Sequence, residues 1–184
     1  MRVVGFALLA GLLQPPAAVP PPAPPPIEVE IDARFTRMTS PASGIAFDNP
    51  ALHLTGTIAA TASHRLQIIE ITLGETPIDV ELSTFRLVTA AGDEFTPIAV
   101  GGRPDTLFPA ARLPLDQEVG QILPSNAILA VTRHGEAARG GAQGEINVTL
   151  EAGPNATLAF LYDIPQDAAA VNLKLPNGRL LPLQ

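Results

Sequence analysis

Ala156-Thr157-Leu158-Ala159-Phe160-Leu161-Tyr162-Asp163-Ile164 places an apolar side chain at every second position over nine residues. Successive strand residues point to opposite faces, so this spacing predicts a β-strand. Working outward, Ile146, Val148 and Leu150, separated by Asn147 and Thr149, predict a strand before it. After it, Val171, Leu173 and Leu175 run into Pro176-Asn177-Gly178. Asn-Gly accepts the positive φ that a hairpin turn requires, and Leu181 and Leu183 can close the pair.

The same period recurs towards the N-terminus. Ile27, Val29, Ile31, Ala33 and Phe35 alternate with Glu28, Glu30, Asp32 and Arg34. Leu52, Leu54, Gly56 and Ile58 alternate with His53, Thr55 and Thr57. Within Leu66–Leu73 the apolar parity slips between Ile68 and Ile69, which points to a bulge or to a strand buried on both faces. Ile78, Val80 and Leu82 are followed, after another slip, by Phe85 and Leu87. Ser125 to His134 fits either a short helix capped by Ser125 or a short strand. Seven or more short strands with Gly and Pro between them predict an all-β, antiparallel sandwich. With no fixed-period repeat, residues 27–184 read as one folded domain.

Composition narrows the functional classes. Of 184 residues, 46% are hydrophobic, 16% charged and 4% aromatic, with no Cys and no Trp. Without Cys there is no disulfide framework, no Cys-ligated metal and no thiol nucleophile, and no lipid anchor is expected. The net charge of −7 argues against nucleic acid as a partner, because such binders need a basic face. Met1-Arg2 followed by the apolar run Val3–Leu13 matches a secretory signal peptide over residues 1–18. Gln14-Pro15-Pro16 stops that run well short of the roughly twenty residues a membrane span needs. Pro15 to Pro26 contains eight prolines, so residues 19–26 are expected to form an extended spacer.

Chemical motifs are sparse. There is no G-x-S-x-G elbow, and His53, His64 and His134 do not form an H-E-x-x-H array. Asp105-Thr106 is followed by Leu107, which removes the Asp-Thr-Gly signature of aspartic proteases. His53 and His64, with Met38, could offer copper ligands if the chain folds back between them. Asp93-Glu94 and Asp116/Glu118 offer carboxylates but no calcium-loop spacing. No cofactor is implied. The turn-rich stretches 101–114 and 135–144, with Arg133 and His134 immediately before the second, bring together Arg103, Asp105, Arg112, Arg133, His134, Glu136 and Arg139, the first place to look for a binding patch.

Two stretches carry a resemblance. Leu82-Ser83-Thr84-Phe85-Arg86-Leu87-Val88-Thr89-Ala90-Ala91-Gly92-Asp93-Glu94-Phe95 reads strand, tight turn, strand. Leu158–Pro165 ends in Asp163-Ile164-Pro165 before a short link to Val171–Leu175. This order resembles a family of exported bacterial immunoglobulin-like domains of unknown function. The family often has Pro-Gly before its penultimate strand, where this chain has Gly153-Pro154. The resemblance implies an immunoglobulin-like sandwich and an envelope-exposed binding or assembly module whose partner is another envelope or secreted protein. It carries over no catalytic residues. Two rival expectations stand beside it: a small periplasmic metal- or ligand-binding protein using His53 and His64, and a secreted hydrolase with a loop-assembled site near His134.

Overall fold

The computed structural model describes residues 30–41, 43–50, 53–135 and 146–184. The expected signal peptide and spacer, together with Ile27–Val29, Leu52, Glu136 and Arg139, lie outside them. The described chain is all-β and antiparallel, the fold class its alternation predicts. Strands follow the order β1 (Ala33–Thr39), β2 (Gly44–Asn49), β3 (Leu54–Ala59), β4 (His64–Leu73), β5 (Ile78–Glu81), β6 (Arg86–Thr89), β7 (Glu94–Phe95) and β8 (Ala99–Gly101). They continue as β9 (Phe108–Pro109), β10 (Glu118–Ile122), β11 (Ile128–Gly135), β12 (Ile146–Ala152), β13 (Thr157–Pro165), β14 (Ala170–Lys174) and β15 (Leu180–Pro182). Among the described residues the only helical turns are two short 3₁₀ segments, Leu82–Thr84 and Ala110–Arg112.

A central sheet has the order β1-β4-β13-β8-β9, with β4 and β13 in register from Thr72↔Thr157 to His64↔Pro165. Its two faces meet different layers. Ile69, Ile71, Leu73, Leu158, Phe160, Tyr162 and Ile164 pack against the inner faces of two further sheets, β10-β11-β12-β5 and β15-β14-β6-β7. Leu66, Ile68, Ala159 and Leu161 point the other way, onto Phe47, Ile45, Leu54 and Ile58 of the β2–β3 hairpin. The sandwich therefore carries a third, two-stranded layer.

This explains the parity slip at Ile68/Ile69. β4 is buried continuously from Leu66 to Ile71, so apolar residues fall in both phases; the irregularity in register lies on β1, between Phe35 and Arg37. The first ladder also begins later than its alternation suggests, at Ala33, and runs on to Thr39. The slip after Leu82 is the 3₁₀ turn Leu82–Thr84, which brings Phe85 into the core. Ser125–His134 resolves as a turn through Ala127 followed by strand, Ile128–Gly135 pairing with β10 and β12.

Three hairpins share one turn design. In Thr89–Asp93, Leu123–Ala127 and Leu175–Arg179 the fourth residue donates its N–H to the first carbonyl, and the first N–H bonds the fifth carbonyl. That geometry needs a left-handed fourth residue, here Gly92 (φ 91°), Asn126 (φ 59°) and Gly178 (φ 81°). The last of these turns also holds the start of β1: Arg179 donates to the Ala33 carbonyl at 2.8 Å, and Asn177 donates to that of Ile31 at 3.4 Å.

Polar groups inside the sandwich are mostly tied. Gln67 accepts from Ser40 at 2.8 Å and donates to the Thr39 carbonyl at 3.0 Å. The buried Glu70 accepts from Arg37 Nε at 2.7 Å. The Tyr162 hydroxyl has no partner among the described residues, and burial pushes its phenol well above the usual range.

On the β7 edge, the hydrogen bond from Lys174 (2.8 Å), with the charges of Lys174 and Arg86, holds the Glu94 carboxyl below its ordinary value, against a smaller opposing effect of burial. A carboxyl depressed in the folded state contributes stability above its unfolded pKa of 4.5, and that contribution is lost as pH falls through the folded value. Lys174→Met should therefore raise the Glu94 midpoint in an NMR titration and flatten the acid limb of stability below about pH 4.5.

Candidate functional site

The loop residues singled out by the sequence do not form one patch. Arg103 and Asp105 pair with each other at 3.6 Å, both exposed, in the β8–β9 loop. Arg112 lies over the Phe47 ring, 5.6 Å from its centroid, and helps seat the β2–β3 hairpin. Arg133 donates to the carbonyls of Ala111 (3.3 Å) and Leu113 (3.1 Å), holding the segment between β9 and β10. Gly102, next to Arg103, meets Leu123 and Gln121 at the end of β10, whereas Arg133 and His134 flank its start. Two of the arginines are thus engaged in packing the chain on itself.

The histidines are also apart. His53 sits in the β2–β3 turn at φ 51° rather than on a strand face, and His64 opens β4. The six-residue β3 lies between them, a span of about 20 Å. Met38 is opposite Ile69, five residues along β4 from His64. His64 Nδ1 instead lies 3.4 Å from Asp163, whose carboxylate also accepts from the Thr61 amide and hydroxyl. That cluster fastens the turn before β4 to β13. Among the described residues no group of three metal-ligating side chains converges.

His134 keeps more suggestive company. Its Nε2 is 3.2 Å from Thr149 Oγ1, and its Nδ1 is 3.6 Å from Asp116 Oδ1. Hydroxyl, imidazole and carboxylate stand in the order a nucleophilic site uses. However, the His134 and Asp116 side chains are 51% and 67% exposed. Thr149 lies inside β12 with strands on both sides, facing Thr132 and Glu81. Its surrounding amides are committed to ladders, leaving no evident donor pair for an oxyanion.

Thr149 belongs to a larger surface. Alternation along the second sheet turns Leu129, Val131, Leu150 and Ala152 inward. The opposite phase holds Asp79 and Glu81 on β5, Thr149 and Glu151 on β12, Ala130 and Ile128 on β11, and Glu118, Gly120 and Ile122 on β10. A groove of ≈ 500 Å³ crosses this outer face, with Ile128, Ala130 and Gly153 in its floor and Asp79, Glu118 and Glu151 around it. None of those three carboxylates has an ion-pair partner among the described residues. At one end Ile122 and Ile128 face each other across the hairpin, 80% and 62% exposed.

Apart from Glu118, weighed only with Asp116 as a calcium ligand, these residues did not stand out in the sequence. The acidic phase of Ile78–Leu82 and the Thr149/Glu151 phase of Ile146–Ala152 read as ordinary wet faces. Only the pairing of β5 with β12, some seventy residues later in the chain, puts them side by side. No family model, no curated protein and no solved structure matches this chain.

Proposed function

We propose that the chain is an exported, non-enzymatic binding module that acts through protein contacts, with the outer face of β10-β11-β12-β5 as its contact surface. The observation that carries this reading is the largely exposed Ile122–Ile128 pair, of which Ile128 lines the groove and Ile122 is its register partner on β10. Burying a side chain of that size stabilises a complex by about 1.5–3 kcal/mol, and contiguous exposed apolar surface beside polar groups commonly marks a contact site. Export to the periplasm or beyond is part of this proposal and is supported by the leader-like Met1–Leu13. Among the described residues no helix is long and apolar enough to cross a membrane.

The test is crosslinking of the tagged mature chain in its native envelope, followed by mass spectrometry. Ile122→Ser with Ile128→Ser should abolish the specific crosslinks. Because both side chains are already exposed, the unfolding free energy read from the urea midpoint should change by no more than about 0.5 kcal/mol per substitution. Crosslinks indifferent to the double variant would remove this reading. So would stoichiometric copper or zinc lost on replacing His53 and His64 by Ala, or ester hydrolysis lost in Thr149→Ala.

A further inference from the structure

Resting on that reading, we propose that the occupant of the groove is a basic, extended peptide segment of the partner protein. Its apolar side chains would sit on Ile128 and Ala130, and its Lys or Arg side chains among Asp79, Glu118 and Glu151. Charge sets the class of ligand. The outer face of this sheet carries no Lys or Arg, and its carboxylates are left unpaired among the described residues. Asp79 and Glu151 are register partners. Like charges directly opposite on neighbouring strands cost about 0.2–1 kcal/mol, and a cation lying between them removes that cost.

The shape suits an extended chain. Gly120 and Ala130 are register partners and leave the middle of the face low, so a backbone can approach it. An extended segment repeats every two residues, about 6.6–6.8 Å, which suits an occupant with alternating basic and apolar side chains. Other occupants fit less well. A second copy of this chain brings another net −7, and Val19–Val29 contains no Lys or Arg and adds Glu28.

The experiment titrates the full mature chain into a fluorescein-labelled peptide of about eight residues alternating lysine with valine, followed by anisotropy. A glutamate–valine peptide of equal length is the control. The lysine peptide should bind in the micromolar range, weaken at least tenfold between low salt and about 0.5 M salt, and not be displaced by unlabelled glutamate peptide. Asp79→Asn, Glu118→Gln and Glu151→Gln combined should weaken it by tenfold or more. Equal binding of the glutamate peptide, or indifference to the triple variant, overturns the inference. Calcium uptake lost in the triple variant, without peptide binding, makes the groove a cation site and overturns it too. If the basic peptide fails while envelope crosslinks are still lost in the Ile122→Ser, Ile128→Ser chain, only the peptide class is wrong. If those crosslinks persist, the contact surface itself is wrong.

Discussion

Phe160→Ala is expected to lower the unfolding free energy by about 3–5 kcal/mol, read from the urea midpoint at unchanged slope. Phe160 is fully buried in β13, the middle strand of the five-stranded central sheet. Its ring stacks on Phe85, with centroids 4.6 Å apart and an interplanar angle of 29°. Phe85 is delivered by the 3₁₀ turn between β5 and β6, strands of the two sheets that cover the central one. One aromatic pair therefore fastens the central layer to the connection between the other two. The pairing adds about 0.5–1.5 kcal/mol to the burial of the rings, and the cavity left by truncation adds its own cost. Against a typical total of 5–15 kcal/mol, such a loss leaves little of the fold's stability. Ile122→Ser is the control from the exposed face, with a change of no more than about 0.5 kcal/mol. A comparable loss at both positions would contradict the layer arrangement.

The period-two pattern of Ile164 back to Ala156 was enough to predict a strand, because one phase faces the large core and is uniformly apolar. What it did not reveal is that Ala159 and Leu161, in the other phase, face a second core beneath the β2–β3 hairpin. A strand buried on both faces loses its alternation, and Leu66–Ile71 reads as an irregularity for the same reason. Ser125–His134 was ambiguous because Ile128, Leu129 and Val131 suit either period. The partners on β10 and β12, not local propensity, decide for strand.

The proposed binding surface was less legible than the fold. Arg112 and Arg133 attract notice in turn-rich sequence, since a charge in a loop is easily read as presented to a partner. Their contacts with Phe47, Ala111 and Leu113 show them packing the chain on itself. Asp79 and Glu151 drew no notice because each is an unremarkable polar residue on its own strand, and Glu118 was weighed only with Asp116 as a calcium ligand. Their meaning is collective and depends on long-range pairing that no local spacing encodes.

That collective character gives the proposal its sharpest consequence: Glu151→Lys should move stability and binding in opposite directions. Replacing the Asp79–Glu151 repulsion by a cross-strand ion pair should stabilise the chain by about 0.5–1 kcal/mol at low salt, less as salt is added. The gain is small because the pair is exposed. The same substitution puts a cation where the ligand's own cation would lie, reversing an attraction into a repulsion and changing the local charge by two units. Lysine-peptide affinity should fall on the order of 30-fold at low salt, and envelope crosslinks should weaken with it. Urea unfolding and anisotropy on one preparation read both effects. Were Glu151 only part of a solvated sheet face, the substitution would stabilise the chain and leave peptide and partner untouched. On the proposed reading the repulsive Asp79–Glu151 pair gives up stability for a contact with the ligand's cation, and a variant more stable and less able to bind is the outcome that this trade requires.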